Sequence, residues 1–104
     1  MWRENHYLMD THTAVASAVL RAYQKETGDA RRSVIVSTAS PYKFPRDVLA
    51  ALGETAPESD FAAMAVLNAK TGCPVPASLS VLNTLPVRFN TVIEPAAIRD
   101  AALK

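Results

Sequence analysis

At 104 residues, with 49% apolar and 20% charged residues, the sequence has the length and composition of one small globular domain, which excludes a disordered chain. Eleven basic residues stand against ten acidic ones, a formal charge of +1 dispersed along the chain, so nothing in it would capture nucleic acid or an anionic membrane. No run approaches the ~18 apolar residues that span a bilayer, and the N-terminus lacks an apolar signal core. A single cysteine, Cys73, excludes an internal disulfide framework and a multi-cysteine zinc site and fits a reducing cytoplasm.

Residues 1–9 mix aromatic and charged side chains without a period, so Trp2, Tyr7 and Leu8 read as an opening segment that covers something. Asp10 or Thr11 then supplies the N-cap of a helix predicted over 11–27. Along it Val15, Val19 and Tyr23 recur every four residues beside Ala14, Ala18 and Ala22, two narrow apolar rows suited to close approach by another element. Gly28 closes this helix.

Val34, Ile35 and Val36 form a β-branched run between polar residues, predicting a short strand covered on both faces. At its end Ser37, Thr38 and Ser40 place hydroxyls where open α/β sheets offer ligand groups. Pro41 and Pro45 stiffen the turn between them, and Pro45 starts a helix that Gly53 stops. A further helix opens at Pro57 or Ser59, carries Phe61, Met64, Ala65 and Leu67, and ends at Gly72. Pro74 and Pro76 forbid regular structure, and a short helix over 77–85 follows, with Leu79, Leu82 and Leu85 three apart. Residues 87–93 read as an edge strand or extended arm, and Glu94-Pro95 starts a last helix.

The three glycines, at 28, 53 and 72, each follow a predicted helix, leaving none for a phosphate-cradling loop. The predicted class is α/β and helix-rich, with one buried strand and a possible second edge strand. One strand is not a sheet. Its backbone groups need neighbours, either from copies of the chain or from a larger sheet to which it belongs.

Two stretches resemble a known family. Tyr7-Leu8-Met9-Asp10-Thr11-His12-Thr13-Ala14-Val15 resembles the Tyr-Leu-(Ile/Met)-Asp-Pro-His-Thr-Ala-Val segment of bacterial threonine synthases. In the same order, Ser37-Thr38-Ala39-Ser40-Pro41-Tyr42-Lys43-Phe44-Pro45 resembles that family's Ser/Ala-Thr-Ala-(His/Ser)-Pro-x-Lys-Phe-Pro segment, and Leu85-Pro86-Val87-Arg88 with the terminal helix looks like its C-terminal extension. Thr11 departs from the family's usual proline, and threonine can still cap a helix.

The resemblance implies that residues 1–104 are a single partial domain, the C-terminal portion of a fold type II enzyme. Such an enzyme converts O-phosphohomoserine and water to threonine and phosphate with pyridoxal phosphate. The family's N-terminal domain, its Schiff-base lysine and its glycine-rich phosphate loop are not in this sequence, so the chain alone is expected to be inactive. The missing domain or a homo-oligomer is the expected partner.

By the same match Thr38 would face the pyridine nitrogen of the cofactor, where a neutral hydroxyl does not hold the ring protonated. Ser40 either touches the cofactor or bonds the turn backbone. No catalytic residue and no metal ligand is assigned. His12 reads as a turn residue or a substrate-orienting one, Asp10 as a cap, Lys43 as a residue that pins the turn, and Arg88 as a solvated cation. Cys73 has no base or helix N-terminus to activate it. A second reading, of a different class, is a non-catalytic α/β interaction module that assembles through its unpaired strand edge.

Overall fold

A computed structural model describes residues 1–103. Six α-helices run in order among them: α1 Trp2–Asn5, α2 Thr11–Thr27, α3 Pro45–Leu52, α4 Asp60–Thr71, α5 Ala77–Ser80 and α6 Ile98–Ala102, with 3-10 turns at Pro41–Lys43, Leu82–Thr84 and Pro95–Ala97. The longer helices begin and end where their polar and glycine residues dictate. Asp10 caps α2, Pro45 takes the first position of α3, and the Ser59 hydroxyl accepts the Ala62 amide at the start of α4. Gly53, at φ 83°, turns its N–H back onto the last carbonyls of α3 in a left-handed conformation that a side chain would oppose.

The core lies where α3 packs on α4. Val48 and Leu49 from α3 meet Ala63, Met64 and Leu67 from α4, and Tyr42 enters from the preceding turn. Leu8, Leu52, Val75 and Leu79 close its edges. Each fully buried leucine contributes roughly 1.5–3 kcal/mol by leaving water. Two hydrogen bonds then tie the turn at 41–43 to the far end of α4. The Tyr42 hydroxyl and the Asn68 side-chain amide both donate to the Cys73 carbonyl, at 2.5 and 2.6 Å. Lys70 and Glu54, 3.0 Å apart, link the same end of α4 to the loop after α3.

The expected α/β class is not what forms: the described residues are helical or irregular and contain no strand. Val34 is 87% exposed and Val36 is 76% exposed, with Ile35 half-buried, so this is not a covered strand. Residues 87–93 are likewise an exposed irregular segment and not an edge strand. The physical reason is that β-branched composition favours a ladder but cannot supply the second backbone it needs. An interaction module built on an unpaired strand edge loses its basis with the strand.

Two smaller expectations also changed. The helix over 77–85 breaks after one turn into a 3-10 turn, in keeping with leucines spaced by three and not by the α-helical 3.6. On α2 the buried residues are the polar Thr13 and Ser17, while Val15 is 65% exposed and Val19 and Tyr23 are exposed beside it.

The opening segment does cover something. Trp2, Tyr7 and Leu8 line an apolar cleft of about 260 Å³ with Ala14 and Ala18 of α2 and Val48 of α3. Even so, the radius of gyration is 17.9 Å where a compact chain of this length has about 13 Å. The accessible surface of 8309 Å² exceeds by about 2,600 Å² that of a typical folded monomer of the same mass.

Candidate functional site

The N-terminus of α2 and the segment before Pro41 meet at one carboxylate. Asp10 is 1% exposed, and its two oxygens serve different partners. Oδ1 accepts the backbone amides of His12 at 2.9 Å and Thr13 at 3.2 Å, satisfying two donors at the start of the helix. Oδ2 accepts the Thr13 hydroxyl and, at 3.3 Å, the hydroxyl of Ser37. Thr13 Oγ1 and Ser37 Oγ are themselves 3.0 Å apart. Each hydroxyl has one proton, so with Ser37 donating to Oδ2 the Thr13 proton is shared between Oδ2 and Ser37 Oγ.

Burial pushes the Asp10 carboxyl up, but the Thr13 hydroxyl, the Thr13 and His12 amides and the Ser37 hydroxyl together outweigh it. Asp10 therefore titrates below its ordinary 3.8. The unfolded state then binds more protons than the folded one across this interval, so stability rises with pH there. The contribution of Asp10 is complete above the unfolded value of about 3.9 and is lost as pH falls through the lower folded value. Asp29, held at about 2 chiefly by the side-chain hydrogen bonds of Arg31, acts in the same direction. Acid titration followed by circular dichroism is expected to leave α2 intact down to about pH 4 and to unwind it below. Loss of helix above pH 5 would contradict this assignment.

The other predicted residues are spread along the chain. His12 is exposed, and its ring lies 5.4 Å from that of Phe44, tilted by 50°. Its turn role is carried by its amide, which Asp10 accepts. Thr38, next to Ser37, is exposed, and its side chain makes no hydrogen bond among the described residues. Ser40 is half-buried, and its Oγ accepts the Tyr42 amide at 3.2 Å, capping the 3-10 turn. That bond uses the acceptor side of the hydroxyl and leaves its proton to donate elsewhere.

Lys43 is exposed at the end of the turn and makes no ion pair among the described residues. Cys73 is half-buried at the edge of the core. The Arg88 guanidinium stands 5.6 Å over the Phe89 ring. Among the described residues no group of acidic, histidine or cysteine side chains could hold a metal, and no helix is long and apolar enough to cross a membrane.

The junction thus unites the stretch around Asp10 with the stretch around Thr38. Sequence reasoning found both ends but missed the bond between them, because the carboxylate read as a complete cap and a contact across 27 residues leaves no period to detect. The pairing of Asp10 with a hydroxyl at the third helical position was the available signal, since a cap needs no second hydroxyl.

A search of curated proteins and a search of solved structures returned no match. A family model described as "Threonine synthase, C-terminal" matches residues 13–101, which takes in the whole segment around Thr38 and nearly all of the helices. The chain therefore belongs to the threonine synthase C-terminal family.

Proposed function

We propose that the chain forms part of the active-site wall of a pyridoxal-phosphate-dependent threonine synthase, a cytoplasmic lyase that makes threonine and phosphate from O-phosphohomoserine and water. The observation that carries this reading is the junction of the two family-like stretches at Asp10 and Ser37, beside a Thr38 hydroxyl that has no partner among the described residues. A hydroxyl in that state suits a hydrogen bond to a neutral ring nitrogen. The three glycines lie at helix ends, so these residues fit one side of the cofactor and offer nothing for its phosphate. When bound, pyridoxal phosphate supplies the electron sink for chemistry at the amino-acid carbon. Thr38 would hold a neutral donor at the ring nitrogen, and Ser40, whose proton is not used by the Tyr42 amide, would add a second hydroxyl.

The test is to incubate the purified 104-residue chain with pyridoxal phosphate, reduce with borohydride, and read the intact mass and any modified lysine. No stoichiometric adduct and no threonine formation are expected, because the Schiff-base lysine belongs to the N-terminal domain of the family. A single clean adduct at Lys43, with a visible absorption band, would mean that the turn is itself the covalent cofactor site, and the proposal would fail.

A further inference from the structure

Thr38 sits in a segment with little to hold it. Residues 29–40 contain no helix and no ladder, and Val34 and Val36 are exposed, so packing does not fix this backbone. Downstream, the Ser40 cap and buried Tyr42 anchor the turn. Upstream, Ser33 bonds only the nearby Arg31 carbonyl, and the one described side-chain link from residues 33–37 to another element is Ser37 to the Asp10–Thr13 pair. Thr38 thus lies between an anchored turn and a single tether.

The tether uses an atom that the helix does not need. Asp10 Oδ1 alone accepts the two amides of the cap, a task that asparagine or serine performs equally well. Oδ2 is the oxygen that meets the Thr13 and Ser37 hydroxyls. A buried carboxylate without those donors would be costly, so the two hydroxyls and Oδ2 form one unit.

We propose that Asp10 is a positioning residue for Thr38, its Oδ2 holding Ser37 with Thr13 so that the adjoining hydroxyl is presented in a fixed direction to the cofactor. The proposal rests on the reading of Thr38 as a cofactor contact, and its test separates the two.

The variants are Ser37→Ala, which cuts the tether without touching the cap, and Asp10→Asn, which keeps the cap acceptor and replaces Oδ2 by a donor. In the 104-residue chain, nitrogen relaxation is expected to show the order parameter at Thr38 falling from about 0.85 to below about 0.6 in both variants. Backbone shifts across α2 should stay unchanged in Ser37→Ala, and the double variant should fall no further than either single one. A rigid Thr38 in Ser37→Ala would overturn the proposal.

In the assembled enzyme loaded with pyridoxal phosphate, Ser37→Ala should shift the cofactor absorption band in the same direction as Thr38→Ala. A band moved by Thr38→Ala but not by Ser37→Ala overturns the positioning role and keeps the contact. A band moved by neither overturns the cofactor role of Thr38, and with it the proposal.

Discussion

Leu49→Ala is expected to lower the free energy of unfolding by about 2–5 kcal/mol. Leu49 has no exposed surface and sits where α3 meets α4, in a core that contains six buried hydrophobic residues among those described. Truncation removes the transfer energy of the lost methyl and methylene groups and leaves a hole between helices that can close only in part. Domains of this size have a total stability of roughly 5–15 kcal/mol, so the variant would lie near the limit of folding. Urea titration followed by circular dichroism reads the change directly. A loss below about 1 kcal/mol with an unchanged slope would mean that the two helices are not held together by this cluster.

Asp10→Ala should rank second, at roughly 2 kcal/mol, because it removes a cap and leaves the donors of buried Thr13 without their acceptor. The His12 and Thr13 amides lose their acceptor, and the Thr13 and Ser37 hydroxyls lose a charged one. Asp10→Asn retains the cap, so about half of the loss should return. The same titration compares them. An alanine variant as stable as the parent would mean that water replaces the carboxylate at no cost, contrary to its burial.

Local chemistry made much of this fold legible. Asp10 or Thr11, Pro45, and Pro57 or Ser59 announce helix starts, of which Asp10, Pro45 and Ser59 are used, and the glycines at 28, 53 and 72 announce their ends, because capping is decided within a few residues. What failed were the strand and the packed valine row, both of which depend on a distant surface. Val34 to Val36 carry the composition of a strand, yet a ladder requires a second backbone that composition does not reveal. The row of Val15, Val19 and Tyr23 has the spacing of a packed face, but spacing cannot say which residues become buried; on α2 they are Thr13 and Ser17.

The candidate site divides along the same line. Thr38 and Asp10 each stood out within a short stretch, while the Ser37 link between them needs both backbones in place. Ser40 shows how a local role can be read in part: its place before Pro41 suits a turn cap, which its Oγ provides for Tyr42.

The open form of the chain sets how it responds to heat and denaturant. With 8309 Å² already in contact with water, unfolding exposes about a quarter less new surface than it would for a compact domain of equal mass. Heat-capacity change and denaturant sensitivity both scale with that newly exposed area. The stability curve of this chain is therefore flatter with temperature, and its unfolding is spread over a wider range of denaturant, than its length alone implies.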